Sequence, residues 1–185
     1  MRVVLVDGFA EGEDESSIVE TATAMLGEGG HDVDPIALAA EGFGTFMSAA
    51  ERAAYHSEEN LITDETRRSA ASVRAGDALL FCCPIEFGSV PPRVKSWYER
   101  VFVPEVSFTF TRSGRVTGNL KHIRRVGMIL WCPDDDPTAH RRNSPSRSLG
   151  RLTWLSGPRR RRLTYLPLGP GDQVRDRIEG ALRRW

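Results

Sequence analysis

The sequence predicts an α/β fold in one domain over residues 1–185, a doubly wound parallel sheet of five strands with helices on both faces. Three observations predict it. Short apolar, largely β-branched runs alternate along the chain with stretches whose apolar residues recur at helical spacing. The clearest strand, Asp77–Cys83, carries a continuous apolar run after its first residue, as a parallel strand covered on both faces must. The length of 185 residues suits one domain able to bury roughly 70% of its unfolded surface without disulfides or metal. Strands alternating with helices imply right-handed crossovers, and five of them favour the order 2-1-3-4-5.

Val3–Val6 forms the first strand, ended by Asp7-Gly8. After an acidic loop, Ser16 or Ser17 caps a helix with Ile18, Ala22, Met25 and Leu26 on one face. Gly29-Gly30 stops it, and His31–Ile36 gives a second, weaker strand. Ser48-Ala-Ala-Glu51 has the spacing of a capping box and opens a short helix through Tyr55. Thr63 caps the next helix, which runs to Arg74 before Gly76. The third strand, Asp77–Cys83, is followed by Pro91-Pro92, which presets a helix with Val94, Trp97, Tyr98 and Val101 on one stripe. Val106–Phe110 and Arg115–Val116 flank a turn and read as a surface hairpin. Arg125–Trp131 is the fourth strand, Leu149, Leu152 and Leu155 mark a helix, and Leu163–Leu166 is the fifth strand. The last helix begins near Asp172 and carries Val174, Ile178, Ala181, Leu182 and Trp185.

Composition excludes several classes. With 40% hydrophobic and 27% charged residues, and with 17 Gly and 11 Pro scattered, the chain is not collagenous, coiled-coil or wholly disordered. No apolar run approaches a membrane span, and the acidic N-terminal stretch does not read as a signal peptide, so the expected setting is the cytoplasm with no integral membrane segment. Cys82, Cys83 and Cys132 make neither a disulfide framework nor a metal site. Residues 1–92 carry 5 Arg and 17 Asp/Glu, whereas 93–185 carry 20 Lys+Arg and 8 Asp/Glu, so a net charge of zero conceals an acidic and a basic half. The Arg159–Arg162 run falls before the fifth strand, at the amino edge of the sheet, and lacks the interleaved aromatics of a nucleic-acid surface.

In such a sheet, ligands sit at the carboxyl ends of the strands. Function is therefore expected in the loops at Gly8–Ser17, Pro84–Val90 and Cys132–Arg142. Ser16 and Ser17, at a helix start, suit a phosphate or a plain N-cap, although Glu11, Glu13, Asp14 and Glu15 precede them. The turn Pro84-Ile85-Glu86-Phe87-Gly88 offers backbone amides with flat apolar contact from Ile85 and Phe87, suited to a planar heterocycle. No Walker motif and no G-x-G-x-x-G occurs, which argues against a P-loop enzyme or a dinucleotide Rossmann fold. The four histidines are isolated, with no metal-ligand spacing. Asp134–Asp136 reads as a solvated loop, and Cys132 as either a reactive thiol or a small buried residue.

The run from Leu80 to Phe102 (LFCCPIEFGSVPPRVKSWYERVF) resembles the flavodoxin-like NAD(P)H:quinone oxidoreductases. So do Phe46-Met-Ser-Ala-Ala-Glu-Arg-Ala-Ala-Tyr-His56, Val106-Ser-Phe-Thr-Phe110 and Tyr165-Leu-Pro-Leu168. The resemblance implies a flavodoxin-like fold and a flavoprotein reductase that uses FMN or FAD with NAD(P)H as co-substrate. Its acceptor is a quinone or similar small molecule, reduced by ping-pong hydride transfer. It assigns the flavin phosphate to Ser16 and Ser17 and the ring to Pro84, Ile85, Glu86, Phe87 and Gly88. The far edge of the ring falls to Trp131, Cys132, Pro133 and Asp134, and His140 lies near the place of a proton-handling histidine. It further implies a homodimer, to which Trp97, Tyr98 and the 106–116 hairpin are apolar enough to contribute. The third loop reads Trp131-Cys-Pro-Asp-Asp-Asp136 where the family has Thr-Gly-Gly, and the first loop is acidic. These departures leave a second reading open, an accessory subunit of the same fold that binds flavin weakly or not at all.

Overall fold

The computed structural model describes residues 1–12, 17–61, 63–85, 88–133 and 162–185. Alternation along its three central strands decides the architecture. They are β1 (Arg2–Asp7), β3 (Ala78–Pro84) and β6 (Arg125–Trp131). Val3, Leu5, Ala78, Leu80, Cys82 and Ile129 point into one core, and Val4, Val6, Leu79, Phe81, Cys83, Val126, Met128 and Leu130 into another. A strand with both faces buried has to be apolar throughout, which is why these segments read as unbroken runs. With β2 (Asp32–Ala37) and β7 (Arg162–Leu168) at the edges, the five strands pair in parallel in the order β2-β1-β3-β6-β7. This is the expected 2-1-3-4-5 once the two hairpin strands, β4 (Phe108–Phe110) and β5 (Val116–Gly118), are set aside. Pro35 and Pro167 interrupt only edge strands, where a missing N–H is tolerated.

One core is covered by α1 (Ser17–Glu28) and α5 (Val174–Leu182) through Ile18, Ala22, Leu26, Ile178 and Leu182. The chain ends by laying Trp185 over the same face. A side chain at Gly127 would stand 2.4 Å from the Trp185 ring, so glycine in mid-strand is the shape that admits the indole. The indole N–H donates to Thr164 Oγ1 at 3.0 Å.

The opposite core is covered by α3 (Asp64–Ala75) and α4 (Pro92–Val101), with the short α2 (Ala49–Ala54) packed outside them. The Ser48 capping box is complete, and Thr63 caps α3 as expected. Arg100, 5% exposed, joins the three helices: its guanidinium pairs with Glu51 of α2 at 2.5 Å and Glu65 of α3 at 2.9 Å, and lies over the Phe43 ring at 4.4 Å. Burial pushes the Glu51 carboxyl up, but hydrogen bonds from Ser48 and Arg100 outweigh it and hold the group below its ordinary range.

Trp97 does not contribute to a subunit interface as expected. It is fully buried between Phe81 and Phe102, with ring centroids 5.7 Å from each, because its position on α4 faces the sheet. The last helix starts at Val174, close to Asp172 as expected, and the Asp172 carboxylate accepts the Gly169 N–H at 2.8 Å and shapes the turn before it. The helix expected around Leu149–Leu155 lies outside the described residues. Among the described residues, no helix is long and apolar enough to cross a membrane.

Candidate functional site

Register brings the three expected loops to one edge. Asp7 pairs with Cys82, and Pro84 pairs with Trp131, so the chain leaves β1, β3 and β6 side by side at their carboxyl ends. Backbone bonds continue the ladder one residue further: Gly8 N–H donates to Cys82 O at 2.8 Å, Ile85 N–H to Trp131 O at 2.7 Å, and Cys132 N–H to Leu168 O at 2.7 Å. Asp7 Oδ1 accepts the Phe9 N–H at 2.9 Å, which bends the first loop back and buries Phe9. Gly8 has no room for a side chain, because a Cβ there would stand 2.3 Å from Val94 Cγ2 and 2.8 Å from Cys83 Cβ. The first loop is thus pressed against the start of α4, which follows the second loop.

Helix α1 begins at Ser17, an exposed residue. Its first-turn amides have no partner within the helix and face the carboxyl edge, a place suited to an anion. In the second loop, Pro84 is half-buried and Gly88 has φ +72°, a left-handed conformation that disfavours any other residue. In the third, Trp131 is half-buried and Pro133 exposed. These residues form the described rim of the site.

Two expected contacts are corrected. Ile85 offers no apolar surface to a ligand, since its side chain is 4% exposed and fills the core beside α4. Cys132 is likewise fully buried, with its Sγ 3.7 Å from Leu130 O, which fits the small core residue rather than the reactive thiol. Both can still present backbone. Burial, reinforced by Cys83 and Asp7, pushes the neighbouring Cys82 thiol well up, so it holds its proton. Ser16, Glu86, Phe87, Asp134 and His140 lie outside the described residues. Arg162 opens β7 opposite Arg125, at the amino edge and away from these loops, while Arg159, Arg160 and Arg161 also lie outside the described residues.

A feature that sequence reasoning missed lies beside this rim. Between α2 and α4 runs a groove of two lobes, about 570 and 420 Å³, with Met47, Arg52, Lys95 and Glu99 common to both. The larger lobe is walled by aromatics, among them Tyr98 stacked on Phe102 at 4.3 Å. The signal was present in the Met47–His56 stretch, but neither its period nor its charge says which helix it will face.

A family model described as flavodoxin-like fold matches residues 1–154. No curated protein matches the chain by sequence. Solved structures that share the fold include an NAD(P)H:quinone oxidoreductase from Methanothermobacter marburgensis, with TM-score 0.76 and 18% identity over 99% of this chain and 96% of that one. An azoreductase from Bacillus anthracis str. Sterne superposes with TM-score 0.71 and 12% identity over 99% and 93% of the two chains. An FMN-dependent NADH-azoreductase from Bacillus anthracis str. Ames Ancestor, solved in complex with FMN, gives TM-score 0.70 and 13% identity over 97% and 94%.

Proposed function

Because the chain belongs to the flavodoxin-like fold family, we propose that it is a flavin-dependent NAD(P)H oxidoreductase that reduces a quinone or similar small acceptor. The observation that carries this reading is the carboxyl edge itself, where the segments leading to α1, to the Gly88 turn and out of β6 leave neighbouring strands side by side. The residues present fit FMN: the first-turn amides of a helix for a phosphate and a left-handed glycine turn beside the place of a ring. FMN needs no second nucleotide pocket, so it is preferred to FAD.

Ser16 and Ser17 would hold the phosphate, and Pro84, Glu86, Phe87 and Gly88 the ring, with backbone help from Ile85. Trp131, Pro133, Asp134 and the Cys132 backbone would close the far edge. His140 would handle the proton that the acceptor gains. The bound flavin supplies the hydride chemistry, so that NAD(P)H and a proton convert a quinone to the hydroquinone in two half-reactions. The protein's part is to orient each partner in turn and exclude water. We further propose a homodimer formed through the hairpin, whose Phe110 and Val116 are each half-exposed.

The acidic residues before Ser16 favour the second reading, an accessory subunit with weak or no flavin binding. Purified protein separates the two. The enzyme carries flavin absorbance that NADH or NADPH bleaches under anaerobic conditions and a quinone restores in stoichiometric amount. Protein that stays colourless after incubation with excess FMN overturns the enzyme reading and leaves the accessory one.

A further inference from the structure

The amino edge of the sheet, opposite the three loops, is divided by charge. At the β1–β2 end the acids gather: the Arg2 guanidinium pairs with Asp34 at 2.7 Å, the Asp77 carboxylate accepts the Arg2 N–H at 2.7 Å, and Asp32 opens β2. At the β6–β7 end three basic segments, distant in sequence, converge. Register sets Arg125 beside Arg162, and the Arg162 N–H donates to Arg124 O at 2.9 Å. The Arg162 guanidinium donates to Arg184 O at 2.9 Å, which ties the end of α5, with Arg183 and Arg184, to the start of β7.

These charges are poorly compensated. Among the described residues, Arg124, Arg125, Arg162 and Arg184 have no carboxylate partner, and only Arg183 is paired, with Glu179 at 2.8 Å. Arg125 and Arg162 stand opposite each other on neighbouring strands, so their side chains leave the sheet on the same face and repel. A negatively charged partner relieves that repulsion. The same end also offers apolar contact. Leu163, the second residue of the edge strand β7, is 62% exposed. It lies on the face opposite Arg162, and a plane laid across the strand starts meets both. A row of phosphates alone gives that leucine nothing, whereas a bilayer interface takes a basic and an apolar contact together. Trp185 packs over Gly127 and is 9% exposed, so it gives a nucleic acid no stacking platform.

We infer that the β6–β7 end of the amino edge docks on an anionic lipid surface, with the arginines at the headgroup phosphates and Leu163 in the interface. The carboxyl-edge loops then face away from the bilayer. The assignment does not depend on the flavin reading, and binding alone tests it. The full chain is sedimented with phosphatidylcholine vesicles, with and without about one-third phosphatidylglycerol. Binding is expected only with the anionic lipid, and it should weaken at least about tenfold between about 0.05 M and about 0.5 M NaCl as the charges are screened. Arg124 and Arg184 are exposed and, among the described residues, their side chains make no hydrogen bond, so both can be changed without disturbing the fold. Arg124→Gln with Arg184→Gln is expected to weaken binding about twentyfold, close to fivefold for each charge. Arg112→Gln with Arg115→Gln removes the same charge from the hairpin and should change binding by less than about twofold. Leu163→Ser should weaken it about threefold through lost apolar contact. No binding, equal binding to both vesicles, indifference to salt, or an Arg124/Arg184 variant no weaker than the hairpin variant overturns the proposal. It is equally overturned if Leu163→Ser binds undiminished, or if duplex DNA at the same phosphate concentration strips the chain from the vesicles, since the edge is then a nucleic-acid surface.

Discussion

The region around Arg100 and the carboxyl edge of the sheet are built from the same stretches of sequence but are determined in different ways. Around Arg100 the partners are specific side chains: the guanidinium donates to two carboxylates and to the Thr63 hydroxyl and lies over the Phe43 ring. At the carboxyl edge the described parts are backbone, a left-handed glycine and the start of a helix. The Glu99-Arg100-Val101-Phe102 and Ser48-Ala-Ala-Glu51 segments, which carry much of the family resemblance, mostly do packing work. Arg100, Val101 and Phe102 are buried, and Glu51 is their ionic partner. Motif specificity therefore reports how the wall is assembled, and the chemistry has to be read from the loops that the wall supports.

The sharpest way to break this contrast is Arg100→Met. It strands the buried Glu51 carboxylate, and thermal or urea unfolding should show a loss of about 3–5 kcal/mol. A loss under about 1 kcal/mol, the scale of an exposed pair, would mean that the pair behaves as a surface one. Smaller in effect, Gly8→Ala forces a methyl group between Val94 and Cys83 and should cost about 1–3 kcal/mol. The same change at Gly180, where nothing stands within 4 Å of an added Cβ, should destabilise no further.

The acid limb of stability sharpens the contrast further. Glu51 and Glu65 are both held below their ordinary value of 4.5: for each, burial pushes upward but hydrogen bonds, including those from Arg100, prevail. A depressed carboxyl contributes stability that is complete above its unfolded value and is lost as pH falls through the folded one. Unfolding free energy of the parent chain should fall steeply below about pH 4.5, and Glu51→Gln with Glu65→Gln should flatten that limb. An unchanged slope in the double variant would remove these two groups from the acid transition.

The sheet order was legible because buried parallel strands leave unbroken apolar runs and because the helices between them carry their own caps. Ser48 and Thr63 show this directly. The placement of the loops followed from that order. What the sequence left open was which way a loop or helix residue turns. Ile85 and Cys132 follow strand ends directly, where one more residue in register decides between core and rim, and both turned inward. Trp97 and Tyr98 share an apolar stripe, yet one faces the sheet and the other forms the groove wall. The groove is assembled from segments some forty residues apart, and its charges come together only when α2 packs on α4.

The central claim is that the carboxyl edge, and not the amino edge, holds an anionic flavin. FMN retained after gel filtration tests it most directly, comparing Ser17→Glu at the start of α1 with Arg162→Glu at the amino end of β7. The account predicts that the parent chain and Arg162→Glu keep FMN in near-stoichiometric amount and that Ser17→Glu loses most of it through repulsion at the phosphate. A Ser17→Glu chain that folds and retains FMN as fully as the parent, or an Arg162→Glu chain that alone loses it, would contradict the account.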